Sequence, residues 1–208
     1  MCNSGSLIGH SPQHIYGRKI KSRLAKNLID LFQSIEECIV QKRILSALVL
    51  LYSGIDVVAS LERGTRETVR DAFVRWSDEY LLKAYQLGCT SLELYAARCG
   101  VVHTFSAISE LSRRRKVRQA IYAWGNQKSG TLDHAAKIIG HHDVVAVHVN
   151  DLVEGFRRAV AAYFDDLEKS NLTRQRTVTR SAGLWLTHMD AGPVQELLNA
   201  FQQSGHNR

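Results

Sequence analysis

The sequence predicts a mainly α protein, an antiparallel helical bundle followed by a small α+β C-terminal extension. Three observations carry that prediction. The 208 residues include only Pro12 and Pro193 as prolines, so residues 13–192 lack the turn punctuation that all-β domains use. From Ile20 onward, apolar residues recur at helical spacing. The run from Arg43 to Leu61 is apolar nearly all round, which suits the central helix of a bundle.

Taken in order, residues 1–19 are rich in Gly, Ser and His and aperiodic, and read as a flexible leader. A first helix begins at Ile20, with Leu24, Leu28, Leu31, Phe32, Ile35 and Ile39 on one face, and ends between Val40 and Lys42. The second covers Arg43 to Leu61. A third opens at Gly64-Thr65, with Thr65 as N-cap, Glu67 in the first turn, a buried stripe of Val69, Phe73, Trp76 and Tyr80, and an Arg75–Glu79 pair outside. Leu87 to Thr90 form a turn, and Ser91 caps a fourth helix reaching about Ser109. Short connections make these four helices, residues 20–112, an antiparallel bundle.

Residues 113–208 read as an α+β extension packed on the bundle, in the same structural domain. Gln119 to Trp124 has strand composition, with Tyr122 and Trp124 on one inward face. Thr131 caps a short helix closed by Gly140, and Val144 to Val149 is a second strand. Asn150 caps a long helix to Lys169 with Leu152, Phe156, Val160, Tyr163, Phe164 and Leu167 on one side. Thr173 to His188 alternates Thr and Val before Leu184-Trp185-Leu186 and reads as strand or loop. Pro193, at a first helical position, opens the last helix.

Charge and cysteine usage narrow the function. A formal net charge of +7 is compatible with a polyanionic partner such as RNA and does not by itself establish one. Cys2, Cys38, Cys89 and Cys99 form no CxxC pair, which points to a reduced, cytoplasmic protein. The N-terminus shows no long apolar h-region, and Ser53, Gly54 and Asp56 interrupt the most apolar run, so neither a signal peptide nor a membrane span is expected. The His141-His142 doublet lacks zinc-ligand spacing, and no metal or other cofactor is assigned.

The stretch Leu94 to Thr104 is the exception to an otherwise ordinary core. Arg98 and His103 stand five positions apart in an apolar helix, where a charge requires a partner. Asp56, in the apolar second helix, poses the same question. It either bonds locally or orients Arg98 or His103. Tyr95, one turn before Arg98, supplies a supporting hydroxyl or simple packing. Cys99 reads as a small apolar residue rather than a nucleophile. On a regular helix, positions i and i+5 are separated by about 140° and about 7.5 Å along the axis. Three solutions exist: the arginine spans the gap, Gly100 allows a distortion, or a second chain completes the site.

Arg98-Cys99-Gly100-Val101-Val102-His103 resembles the Arg-x4-6-His signature of HEPN domains (higher eukaryotes and prokaryotes nucleotide-binding), over roughly Ile20 to Ser109. The family consists of helical bundles, many of them metal-independent ribonucleases of toxin–antitoxin, phage-defence and CRISPR systems. Here Cys99 stands where many active members carry Asn or Asp, and Thr104-Phe105 stands in place of a His-x-Tyr extension. The resemblance implies a homodimer with two motifs facing one cleft, and an antitoxin protein as a further partner. It implies a metal-independent endoribonuclease in which His103 moves a proton and Arg98 stabilises the phosphate. That division of labour suits the side chains, since imidazole ordinarily titrates near neutrality and guanidinium offers a planar fork. The RNA 2′-hydroxyl would be the nucleophile, which excludes DNA as substrate.

Arg113, Arg114, Arg115, Lys116 and Arg118 follow about ten residues beyond His103. They form either a solvated surface or a hold on the RNA backbone. The competing function class is a non-catalytic helical module that binds protein or nucleic acid, with Arg98 and Asp56 as a structural pair.

Overall fold

Leu24, Leu28 and Ile35 bury one face of the first helix, α1 (Pro12–Val40), against its neighbours. The computed structural model describes residues 12–106, 108–183 and 191–205. The first eleven residues of the expected leader, and Leu184-Trp185-Leu186, lie outside the described residues. Helix α1 starts earlier than its apolar periodicity suggests. Pro12 suits a first helical turn because its missing N–H would be unsatisfied there in any case. The helix closes at Lys42, which takes a left-handed φ of 57° while the Arg43 N–H reaches back to the Cys38 carbonyl.

Helix α2 (Ile44–Ser60) is the central element and packs on α1, α3, α5 and α8, the last three defined below. Gly54 permits that crowding. A Cβ there would sit 2.6 Å from Leu31 Cδ2 and 3.0 Å from the Phe156 ring.

Helix α3 (Val69–Trp76) begins three residues later than a cap at Thr65 implies. Its cap is Thr68, whose hydroxyl accepts from the Asp71 N–H at 3.1 Å, and not Thr65. Glu67 instead closes a turn with the Gly64 N–H and binds Arg75. Arg75 also approaches Glu79 at 3.7 Å. Phe73 and Trp76 are buried, whereas Val69 lies on the surface. A π-helical turn (Ser77–Leu81) and the short α4 (Leu82–Ala84) carry the chain onward.

Helix α5 (Ser91–Thr104) is capped by Thr90 rather than Ser91, because Glu93 at the third position completes a reciprocal capping box. It stops five residues short of the expected end, where Phe105 turns left-handed. Ser109 caps a separate short helix, α6 (Glu110–Arg113).

Strands β1 (Gln119–Ala123) and β2 (Val144–His148) pair in parallel, with Gln119 opposite Val144 and Ala123 opposite His148. Helix α7 (Ser129–Ile138) makes the crossover between them. Trp124 falls just past the strand and is half exposed, not inward. The Tyr122 hydroxyl meets the Tyr52 hydroxyl at 2.7 Å and ties β1 to α2.

Helix α8 (Val149–Lys169) is capped by His148, whose Nδ1 accepts from the Asn150 N–H at 3.2 Å, and not by Asn150. Leu152, Phe156, Val160, Tyr163 and Leu167 on α8 enter the same hydrophobic core as α1, α2 and α5. The core therefore runs through both halves of the sequence.

The Thr/Val alternation after Thr173 belongs to a helix, α9 (Leu172–Gly183), and not to a strand or loop. Asn171 accepts from the Arg174 N–H, and Thr177 and Thr179 donate back to carbonyls four residues earlier. Arg174 then binds Glu62, Asp166 and the Tyr80 hydroxyl, which fixes α9 on the core. Helix α10 (Ala191–Gly205) places Pro193 in its first turn, two residues later than expected. Among the described residues no helix is long and apolar enough to cross a membrane.

Candidate active site

The site is built from the cap of α5 forward. Glu93 holds the helix start and also accepts from Arg118 Nε at 2.6 Å and Nη2 at 3.0 Å. Its side chain is only 7% exposed. Burial works against the Glu93 carboxylate, but Arg118 and the Thr90 N–H outweigh it and hold the group below its ordinary range. The entry of α5 is thus anchored.

Arg98 lies further along the same helix and reaches in two directions. Its Nε and Nη2 both approach Asp56 Oδ2 at 2.5 Å. Its Nη1 stands 2.6 Å from His103 Nε2 and 4.0 Å from Cys99 Sγ. A guanidinium can only donate, so His103 Nε2 accepts, and this geometry assigns the ring proton to Nδ1. Arginine's length therefore spans the i, i+5 gap within one chain, on a helix that stays regular through Thr104.

The two ends of this relay differ in environment. The side chains of Arg98 and Asp56 are 13% and 15% exposed, whereas His103 is on the surface. Asp56 Oδ1 is buried with no hydrogen-bond partner among the described residues. Burial raises the Asp56 carboxyl above its ordinary range, and Arg98 only partly opposes that. Burial disfavours the Arg98 cation too, but Asp56 more than offsets it, so Arg98 is held charged.

Tyr95 stays outside the relay. Its ring meets Phe73 edge-on at 5.6 Å, and burial first, then the adjacent Cys99, push its hydroxyl up. Cys99 is half-buried beside it.

The basic run divides into three. Arg113 and Arg114 bind Glu110 at 3.2 and 2.7 Å. Arg118 is committed to Glu93 and to the Gly88 carbonyl. Arg115 and Lys116 are exposed and form no ion pair among the described residues. Sequence reasoning missed the two acceptors, although Thr90-x-x-Glu93 is a legible capping box.

It also missed the turn that ends α5. The Gly100 carbonyl accepts from the Phe105 N–H, the Ser106 N–H and the Thr104 hydroxyl. A Cβ at Gly100 would lie 2.5 Å from the Ser106 carbonyl oxygen. Phe105, two residues after His103, has φ 49° and is 69% exposed.

Among the described residues no three His, Cys, Asp or Glu side chains converge as a metal-ligand set. A cavity of about 220 Å³ opens along β2, lined by Gly88, Arg118, Ser129, Asp133, His148 and Asp151 among others, and neither Arg98 nor His103 lines it. No protein-family model, curated protein or solved structure matches the chain, so its functional reading rests on its own residues.

Proposed function

We propose that the chain is a metal-independent endoribonuclease of the HEPN type, acting as a homodimer. The observation that supports this reading is the 2.6 Å contact between Arg98 Nη1 and His103 Nε2, with Arg98 anchored on Asp56 and His103 open to solvent. A phosphate entering at His103 competes for the Nη1–H that His103 now accepts. Once that donor turns to the phosphate, Nε2 is free to take the proton of the RNA 2′-hydroxyl. The 2′ oxygen bonds to phosphorus, the bond to the 5′ oxygen breaks, and the leaving oxygen receives a proton from the imidazolium. Arg98 stabilises the charge on the non-bridging oxygens throughout. By analogy alone, the setting is a cytoplasmic toxin or phage-defence effector restrained by an antitoxin protein.

The test is incubation of purified protein with labelled RNA in the presence of chelator. Wild type cleaves, and His103→Ala and Arg98→Ala each lose at least about 100-fold, the usual scale for a positioned proton-transfer group and for a donor that stabilises transition-state charge. Cleavage that survives both substitutions assigns the activity to something else. The second reading, a binding module with a structural Arg98–Asp56 pair, is favoured by the burial of that pair between α2 and α5. It expects no cleavage at all.

A further inference from the structure

The cavity of about 220 Å³ along β2 lies apart from Arg98 and His103, and the endoribonuclease reading gives it no role. Helices α7 and α8 follow the carboxyl ends of the two paired strands, and the first turns of both line the cavity, through Ser129 and Gly130 on α7 and Asp151 on α8. Arg118, Gln86 and the Leu87–Gly88 turn close another side. The space holds about seven waters at about 30 Å³ each, or one small molecule of the same bulk.

The lining holds unfilled acceptors and unfilled donors together. Asp133 Oδ2 binds Lys137 at 2.6 Å, whereas Oδ1 is buried with no hydrogen-bond partner among the described residues. The Lys137 bond keeps the Asp133 carboxyl below its ordinary range although burial opposes it, and the nearby Ala146 N–H and Arg118 add to that pull without bonding Oδ1. Asp151 accepts from the Tyr85 hydroxyl through Oδ1 at 2.9 Å, which leaves Oδ2. Among the donors, Arg118 spends Nε and Nη2 on Glu93 and keeps Nη1. The Ser129 and Gly130 N–H groups head α7, whose cap residue Lys128 makes no side-chain bond, and first-turn N–H groups have no partner within their own helix. His148 offers the cavity neither sign, because Nδ1 accepts from the Asn150 N–H and Nε2 faces the Gly125 carbonyl.

A ligand of one charge sign does not fit such a lining. A phosphate would meet Asp133 and Asp151, and a simple cation would meet Arg118 and the positive end of α7. No three side chains among the described residues converge on a metal ion. Ser129 and Asp133 stand one turn apart on α7, about 6 Å along its axis. The adjacent carboxylate and ammonium of an α-amino acid bridge that gap with one hydrogen bond of about 2.9 Å at each end. Leu87 and Val145 supply an apolar wall for a small side chain.

We propose that this cavity binds a free α-amino acid. Its carboxylate sits on the α7 N-terminus and Arg118 Nη1, and its ammonium meets Asp133 Oδ1, with Asp151 as the second carboxylate. The site is independent of RNA cleavage, since neither Arg98 nor His103 lines it.

The experiment is calorimetric titration of the full chain with the standard amino acids one at a time, at millimolar concentration, beside inorganic phosphate and putrescine. At least one amino acid binds with one-to-one saturable heat. Its N-acetyl and α-amide derivatives, which each lack one charge, bind at least about tenfold more weakly, the scale of one hydrogen bond to a charged group. Asp133→Asn keeps the side-chain shape and removes the charge. It weakens binding at least about tenfold and moves the ligand-free melting temperature by no more than about 2 °C, because only an exposed pair with Lys137 is lost. Asp151→Asn, which keeps an acceptor for Tyr85, weakens binding in the same direction. Absence of saturable heat from every amino acid overturns the proposal. So does a blocked derivative, phosphate or putrescine that binds as tightly as the best amino acid. Binding that survives both Asp133→Asn and Asp151→Asn lies elsewhere on the protein and overturns it as well.

Discussion

Arg98 and Asp56 meet through a single carboxylate oxygen: both Nε and Nη2 aim at Oδ2, and Oδ1 is left buried without a partner among the described residues. A parallel two-bond fork, the stronger arrangement, would use the second oxygen as well. Breaking the pair from one side strands a buried charge, so Asp56→Ala should cost about 3 kcal/mol in urea unfolding. Replacing both partners by apolar residues, Asp56→Leu with Arg98→Met, should bring stability back to within about 1 kcal/mol of wild type. Where wild type cleaves RNA, that double variant isolates the part Arg98 plays in the chemistry. A stable protein without cleavage fits a working arginine, and a stable protein with undiminished cleavage removes Arg98 from the chemistry.

The single variant Arg98→Ala should be sensitive to pH. Asp56 already has a raised carboxyl in the folded protein because burial outweighs Arg98. A carboxyl raised on folding favours the folded state while protonated, and that contribution is lost as pH rises from the unfolded carboxyl range through the folded value. Without Arg98 the carboxylate is opposed by burial alone, so the loss deepens. Arg98→Ala should therefore lie furthest below wild type at neutral pH and converge on it toward pH 4. Urea midpoints across that range measure it, and a constant gap would count against a stranded Asp56.

The Tyr52 and Tyr122 hydroxyls face each other at 2.7 Å with Tyr52 fully buried. Burial first, and each other's proximity second, raise the Tyr52 hydroxyl well above its usual range, so both remain neutral. Removing one hydroxyl leaves the other unsatisfied, and Tyr52→Phe or Tyr122→Phe should each cost about 1–3 kcal/mol. The double variant should cost less than the sum of the two. Additive losses would mean that the hydroxyls are satisfied independently.

Gly100 and Gly130 should respond oppositely to alanine. In a helix, Gly→Ala ordinarily stabilises by about 0.5–1 kcal/mol. At Gly130 a Cβ meets nothing within 4 Å, so that gain should appear in thermal melts. At Gly100 it meets the Ser106 carbonyl at 2.5 Å, a backbone atom that cannot swing aside. Gly100→Ala should destabilise by about 1–3 kcal/mol.

The apolar stripes of α1, α2 and α8 are legible in the sequence because burial of one face imposes a helical period on Leu24, Leu28 and Ile35 and on Leu152, Phe156 and Tyr163. Caps are less so. Thr65 and Thr68, or Ser91 and Thr90, compete as neighbours, and the choice falls to whichever has extended backbone and a partner at the third position. Helix α9 is hidden because β-branched alternation imitates a strand, while the Arg174 ties that hold it lie over a hundred residues away at Glu62. Arg98, His103 and Asp56 stand out as polar residues in apolar helices. What the spacing could not reveal is that one long side chain closes the gap without a second subunit.

The basic run offers the same lesson as a prediction, since its charge is legible but its partners are not. Arg118 is bound to the nearly buried Glu93, so Arg118→Gln should lower stability and leave the salt dependence of RNA binding unchanged. Arg115→Gln with Lys116→Gln should leave stability within about 0.5 kcal/mol and reduce the salt slope by about one unit per lost phosphate contact. Acid should reveal the Glu93 contribution. Its carboxylate is depressed in the folded protein, so its stabilisation is present above the ordinary carboxyl range and is lost as pH falls through the folded value. Glu93→Gln should accordingly be weaker than wild type at neutral pH and approach it as acid protonates Glu93 in both folded and unfolded chains. Denaturation at two pH values, with RNA titrations at two salt concentrations, distinguishes a cation that braces α5 from cations that meet a phosphate. An RNA salt slope that falls with Arg118→Gln would return that residue to the binding surface.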